Sequence, residues 1–411
     1  MKVLIVSTSE RVGGAAVAAS RLYVALRNKG IDVKMLVRDK QSNDINVFSL
    51  PNQKIQKIKF LFERFLIFVM NKFSRKGLFD IDIASCGVDI TKLSIFKEAD
   101  VIHLHWVNQG MLSLSDLRKI CESGKKIVWT MHDLWPLTAI CHYTKECDKY
   151  ITKCEKCILC NNKVVDISSI VFDRKKAIYA SDNITFVACS KWLRDLGRKS
   201  KLIQGNKIVS IPNTIDLTVF NKREKIAIRK KLGLPLEKKI VLFGALNVTD
   251  ERKGFKYLAE ASLILKNKYL VSDLVVITLG NKTEEVKNLI HQPIISLDYI
   301  KDESSISELY NAVDLFVIPS LEENLPNMIM EALACGVPCV GFNVGGIPEM
   351  ISHKENGYVV EYKNSDDLAK GIYWSLYESN NDVLSNNCLN KVLGEYSEDI
   401  VVNRYLDVYL Q

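Results

Sequence analysis

An α/β architecture of two doubly wound, Rossmann-like domains is predicted by three observations. Short apolar runs rich in Val, Ile and Leu recur along the chain, each reading as a strand buried on both faces. Amphipathic stretches with helix-start and helix-stop residues fall between them, so strand and helix alternate throughout. The chain has 411 residues, enough for two domains of ordinary size. The expected divisions are 1–212, 213–390 and a C-terminal helical segment, 391–411.

Composition narrows the function classes. Hydrophobic residues make up 47% and charged ones 25%, the balance of a globular protein rather than a disordered or fibrous one. A net charge of +8 suits anionic partners: nucleotide diphosphates, lipid head groups or nucleic acid. There is no RNA-binding signature and no long Lys/Arg block, so no nucleic-acid partner is expected. Lys2 precedes only four apolar residues before Ser7, too few for the apolar part of a signal peptide, and no apolar run reaches the length of a membrane span. The expected location is therefore cytoplasmic. The eleven cysteines are then free thiols, or metal ligands where they cluster.

In the first half, residues 2–7 read as a buried strand, and Gly13-Gly14 opens a helix that ends at Gly30. A glycine pair lets a ligand approach the backbone and leaves helix-start N–H groups for an anion; a plain tight turn fits equally well. Residues 32–37 form the second strand. Segment 54–76 holds seven basic residues and one acid, with Phe60, Phe62, Phe65, Phe68 and Phe73 among other apolar side chains. Such a helix can lie in a membrane interface; a core helix with solvated ends is the alternative.

Two further buried strands, 101–106 and 127–131, are each followed by ligand-capable residues. His103 and His105 share a face because side chains alternate along a strand, and His132 stands at the end of its strand. The cysteines of 141–160 are spaced C-x5-C-x6-C-x2-C-x2-C. Cys141, Cys147, Cys154 and Cys157 at these spacings can hold a structural zinc, with Cys160 able to replace one. A loop of reduced thiols is the alternative. Strands 184–188 and 207–211 complete this half.

The second half repeats the alternation, with strands at 239–245, 274–279, 294–297, 314–319, 339–342 and 358–361. Arg252 and Lys253 precede Gly254 at a helix start, where side-chain cations and helix N–H groups both favour a diphosphate. Glu323 lies on the loop after the 314–319 strand, at the sheet edge where ligands bind in open parallel sheets. Asn324 is the expected helix cap and Pro326 suits the first turn. Glu331 follows on a mostly apolar helix, where a carboxylate needs a partner. Gly345-Gly346 offers backbone N–H groups to a phosphate.

Glu323, seven intervening residues, then Glu331, with Pro326 between and ALACGVP (332–338) after, resembles the donor-site motif of family 4 glycosyltransferases, which have the GT-B fold. Many members carry Gly-Phe-Gly after the first Glu; Asn324 and Leu325 stand here instead. PNTID (212–216) is similar to the PNGVD turn that closes the family's first domain. The resemblance covers nearly the whole chain except segment 54–76 and the cysteine loop. It implies a GT-B fold of two Rossmann-like domains facing a central cleft, with the C-terminal helix crossing back to the first. It also implies retaining transfer of a hexose-type sugar from a UDP- or GDP-sugar to a glycan or lipid-linked acceptor in surface polysaccharide synthesis, at the inner face of the plasma membrane, with no cofactor required for chemistry. Gly13 and Gly14 would face the donor phosphates. Arg252 and Lys253 would bind the pyrophosphate, Glu323 with Asn324 and Leu325 the sugar, and Glu331 the ribose. His132 would contact the transferred sugar, with Asp133 as its orienter. The family's usual additional arginine is absent, Asn247 standing near its place. A GT-B sugar-nucleotide epimerase and a non-catalytic nucleotide-sugar binder are the alternatives.

Overall fold

The computed structural model describes residues 1–75, 77–160 and 166–411. Lys76, at the end of the basic aromatic segment, lies outside the described residues. The chain forms two compact units, Met1–Pro212 with Val401–Gln411, and Asn213–Ile400.

The first unit is built on β1 (Lys2–Ser9), β2 (Asp32–Asp39), β3 (Val47–Ser49), β4 (Val101–Leu104), β5 (Lys126–Met131), β6 (Ile184–Ala188) and β7 (Lys207–Ser210). They form one sheet in the order β3-β2-β1-β4-β5-β6-β7, and every pairing is parallel. The alternation of β1 supplies two cores. Val3 and Ile5 enter the cluster with Leu22 and Leu26, while Leu4 and Val6 enter the cluster with Trp129 and Phe186 on the other face. The three-residue β3 was not expected; its run is too short to show a period.

Helix α1 (Gly14–Asn28) follows β1, and α2 (Gln53–Met70) follows β3. The core-helix alternative for α2 fails. Its buried side chains are Gln56, Glu63, Arg64 and Ile67, while Ile58, Phe62 and Phe65 are exposed.

The helix Glu398–Leu410 completes this unit. Val401, Val402, Tyr405, Val408 and Tyr409 are buried in the same cluster as Val3 and Ile5. Its polar contacts are specific: Lys126 Nζ donates to the Tyr409 carbonyl at 2.9 Å, and His103 lies between Tyr409 Oη and Thr130 Oγ1, each at 2.7 Å. The returning segment begins at Val401 rather than 391. The preceding helix, Asn381–Glu395, buries Leu384, Cys388 and Val392 and packs on the Asn327–Ala334 helix of the second unit.

The second unit has β8 (Lys239–Asn247), β9 (Leu274–Asn281), β10 (Ile294–Leu297), β11 (Leu315–Ile318), β12 (Cys339–Phe342) and β13 (Gly357–Val360). Their order is β10-β9-β8-β11-β12-β13, again all parallel. In each sheet the strand order reverses once, at β1/β4 and at β8/β11. The carboxyl ends of strands at such a reversal are where open α/β sheets take ligands.

Candidate active site

In the second unit, three loops at the carboxyl ends of β8, β11 and β12 converge. After β8, Asn247 Oδ1 accepts from Thr249 N at 3.2 Å and Oγ1 at 2.9 Å, turning the chain into the short 3-10 turn Glu251–Lys253. Asp250 caps that turn by accepting from Arg252 N at 3.0 Å. Gly254 closes it at φ 69°, and a Cβ there would stand 1.8 Å from the Pro319 carbonyl oxygen. Only glycine lets the turn approach the end of β11 so closely. Leu321 N donates to the Arg252 carbonyl at 2.8 Å, and Arg252 Nη1 donates to the Glu322 carbonyl at 3.1 Å. The loop after β12 joins through Gly345, whose Cβ would meet the Glu323 carbonyl oxygen at 1.7 Å.

This arrangement brings Arg252, Lys253 and Glu323 together. The Glu323 carboxylate is ion-paired with Lys253, lies 3.6 Å from Arg252 Nη1, and accepts from Ser320 Oγ at 3.3 Å. Glu323 is only 8% exposed. Burial alone would raise its pKa, but Lys253 and Arg252 outweigh burial and hold it below the ordinary carboxylate value. The cluster is thus Lys253 and Arg252 around the ionised Glu323, with Asp250 Oδ2 also 3.6 Å from Arg252 Nη2, at the kind of sheet edge where open parallel sheets take ligands; its cations can attract an anion and Glu323 can accept hydrogen bonds from hydroxyls. Asn324 and Leu325 are buried on the same loop. Asn324 is not the helix cap; Pro326 holds the N-cap position, with no side-chain cap bond. Glu331 is 7% exposed, and its carboxylate accepts from Tyr310 Oη at 3.1 Å. Tyr310 was not anticipated, because it is 21 residues away on the helix Glu303–Ala312.

In the first unit, Gly13 sits at φ 92° with open space where a Cβ would stand. Gly14 then begins α1, which has no side-chain cap and no acid in its first turn. His132 follows β5. Its Nε2 meets His105 Nδ1 at 2.9 Å with the rings stacked, and its Nδ1 lies 3.7 Å from Cys189 Sγ. Burial pushes the His132 pKa down to about 4, so the imidazole is neutral at pH 7.

The expected Asp133 orienter is corrected by the geometry. Asp133 accepts from Trp106 Nε1 at 2.8 Å, His142 Nδ1 at 2.7 Å and Trp135 N at 2.9 Å, whereas His105 is the histidine that bonds His132. Both residues lie just past the end of β5, where adjacency in sequence does not bring two side chains together. The His105 partnership is foreshadowed by the alternation in HLHW; His142, inside the cysteine loop, has no such signal.

The zinc expectation is also corrected. Among the described residues no group of three or more His, Cys, Asp or Glu is placed to hold a metal, and all eleven cysteines are free thiols. Cys141, Cys154, Cys157 and Cys160 instead pack against the apolar core. Lys175, fully buried, ties down the chain just before them by donating to the Trp135 carbonyl at 2.7 Å and the Thr138 carbonyl at 3.0 Å. Cys147 is half-buried. Cys157 and Cys160 bond to each other, which lowers the pKa of Cys157 and raises that of Cys160.

Two all-parallel sheets, each with its reversal edge, define the GT-B architecture. The chain belongs to the family 4 glycosyltransferases: the model of glycosyltransferase family 4 matches residues 12–219, and that of the glycosyl transferases group 1 matches residues 237–377. An uncharacterized glycosyltransferase of Methanocaldococcus jannaschii is 25% identical over 80% of this chain and 89% of its own length. The N,N'-diacetylbacillosaminyl-diphospho-undecaprenol alpha-1,3-N-acetylgalactosaminyltransferase of Campylobacter jejuni is 30% identical over 54% of this chain and 57% of that protein. For several other curated relatives, too, the matched stretch spans about half of the relative's length. Among solved structures, Anabaena HepE in complex with UDP-glucose superposes with a TM-score of 0.63, at 14% identity, over 99% of both chains.

Proposed function

We propose that this glycosyltransferase moves a hexose-type sugar from a UDP- or GDP-sugar to a lipid-linked glycan acceptor, with retention at the anomeric carbon, in surface polysaccharide assembly at the cytoplasmic face of the membrane. The observation that carries this reading is the Arg252–Lys253–Glu323 cluster, two cations gathered on a buried acid at a ligand-binding sheet edge. On arrival of the donor, Lys253 and Arg252 stabilise the charge that develops on the departing diphosphate, commonly the largest contribution in such catalysis. Glu323 accepts from sugar hydroxyls, Glu331 from the ribose, and His132, a neutral imidazole, contacts the transferred sugar. Gly13 and Gly14 present backbone N–H groups to the donor. The leaving phosphate oxygen takes the acceptor's proton as the new glycosidic bond forms on the face it vacates, so neither glutamate is needed as a nucleophile. The UDP-glucose bound by Anabaena HepE and the undecaprenol-linked substrate named for the Campylobacter relative support the choice of donor and acceptor classes.

The test is a panel of UDP- and GDP-sugars offered with and without a polyprenyl-diphosphate-linked acceptor. Acceptor-dependent product with the donor's anomeric configuration, read by NMR, is expected. An epimerised sugar nucleotide with no acceptor needed, or binding without turnover, would overturn the proposal. A narrower outcome concerns Glu331→Gln, which is expected to weaken binding of the free nucleotide at least tenfold by calorimetry, since a hydrogen bond to a charged group contributes about 1.5–3 kcal/mol. Unchanged nucleotide affinity would remove Glu331 from the ribose.

A further inference from the structure

The amphipathicity of α2 is inverted relative to a helix that packs on a core. Of its four buried side chains, Gln56, Glu63, Arg64 and Ile67, three are polar, and the inward side is held by specific bonds. Arg64 Nη2 pairs with Glu63 Oε1 at 2.7 Å and lies 3.3 Å from Asp82, and its Nη1 donates to the Leu78 and Ile81 carbonyls at 2.9 and 2.8 Å. Glu63 in turn accepts from Ser85 N and Oγ, both at 2.6 Å. These bonds fix the rotation of the helix about its axis. The outward side then carries Ile55, Ile58, Phe62, Phe65 and Val69, spaced three and four residues apart in turn, with exposures of 51, 66, 59, 56 and 39%. Leu61, 55% exposed, widens the stripe. A continuous apolar stripe of this kind on a protein surface marks a contact.

Charge identifies what makes that contact. Lys54, Lys57 and Lys59 are exposed along the helix, and Lys72 and Arg75 just beyond it. On the helical wheel Lys57 and Lys59 fall on opposite flanks of the stripe. The only acid of the helix, Glu63, is turned inward and paired. An apolar stripe rimmed by cations alone matches an anionic lipid surface, into which side chains of this kind sink by about 5–10 Å while the lysines meet head groups. A second copy of the chain fits poorly, because face-to-face packing would oppose the two cationic rims. Among the described residues no helix is long and apolar enough to cross a membrane.

We propose that α2 is a docking helix that lies along an anionic bilayer, with Phe62 and Phe65 inserted and the flanking lysines on the lipid phosphates. This goes beyond the transferase reading and does not depend on it, since the test uses neither donor nor acceptor.

Co-sedimentation of the full chain with phosphatidylglycerol–phosphatidylcholine vesicles, and with phosphatidylcholine alone, measures it. The wild type is expected to partition to the anionic vesicles, more weakly as salt rises, with each cation contributing roughly fivefold. Phe62→Ser with Phe65→Ser, both at exposed positions, is expected to lower partitioning more than tenfold at every salt concentration. Lys54→Glu with Lys57→Glu is expected to remove most of the salt-sensitive part. The proposal is overturned if the wild type stays in the supernatant with anionic vesicles at low salt, or if both variants bind as the wild type does. It is overturned equally if sedimentation equilibrium shows a vesicle-free dimer that the serine variant dissociates, which would assign the stripe to a second copy.

Discussion

Lys253→Ala is expected to lower turnover by about a hundredfold while the protein stays folded. The turn that carries Lys253 is held by the Asp250 cap, by the close approach of Gly254 to Pro319 and by the Leu321–Arg252 backbone bond, none of which uses the lysine side chain. Truncation therefore removes a charge and leaves the scaffold. Two losses follow. The departing diphosphate is deprived of one cation, and the buried Glu323 is deprived of the nearer of the two that keep it ionised. The second loss has its own signature: the Glu323 pKa rises, so the acid limb of the pH–rate profile moves to higher pH. Lys253→Arg, which restores the charge, should recover much of the rate. Wild-type turnover in a variant with an unchanged circular dichroism spectrum would sink the assignment.

Asp133→Asn carries the largest expected effect on stability. Asp133 and His142 are both buried, and their pair is 2.7 Å long. Breaking a buried ion pair by neutralising one partner costs about 3–5 kcal/mol. Burial lowers the pKa of His142, but Asp133 outweighs burial and raises it above the ordinary value of 6.5. Burial raises that of Asp133, yet His142 and the donors from Trp135 and Trp106 hold it below the ordinary 3.8. The sign of the pH dependence follows from the two directions. The histidine's contribution is complete below pH 6.5 and is lost as pH rises through its raised pKa. The aspartate's is complete above pH 3.8 and is lost as pH falls through its lowered one. The stability gap between wild type and variant is thus expected to be widest between those two values and to narrow on either side. Urea denaturation followed by tryptophan fluorescence reads it well, because Trp106, Trp129, Trp135 and Trp192 all lie in this unit and only Trp374 in the other. A gap that does not change with pH would mean that the pair is uncharged.

The strands were the most legible elements, for a plain reason. In a parallel sheet covered on both faces most strands are largely apolar; β10, β12 and β6 begin and end where the expected strands do. β3 has only three residues and pairs with β2 through Val47, Phe48 and Ser49, a contact that local pattern does not announce. The glycines and charged residues of the candidate site were legible by type and spacing, yet their pairings were not. Lys253 and Glu323 lie 70 positions apart and meet only because β8 and β11 are neighbours in the sheet. Tyr310 and Glu331 meet between two helices of the second unit in the same way. Asp133 was misread because neighbours in sequence were taken for neighbours in space. The cysteine loop was misread because thiol spacing says nothing of burial, and here four of its five thiols rest on the apolar core.

The return of Val401–Gln411 to the first unit sets an order on biosynthesis. The second unit is one uninterrupted stretch, 213–400, and its residues are all available before those of the helix that completes the first. Until Val401, Tyr405 and Tyr409 have left the ribosome, the cluster that Val3, Ile5 and Val128 share with Leu22 and Leu26 of α1 lacks part of its cover, and the buried His103 lacks its Tyr409 partner. During synthesis the stretch translated first is therefore finished last. Part of an apolar sheet face stays open for the time taken to translate the whole second unit, and nascent chains stalled within that interval are the ones on which chaperones should be found.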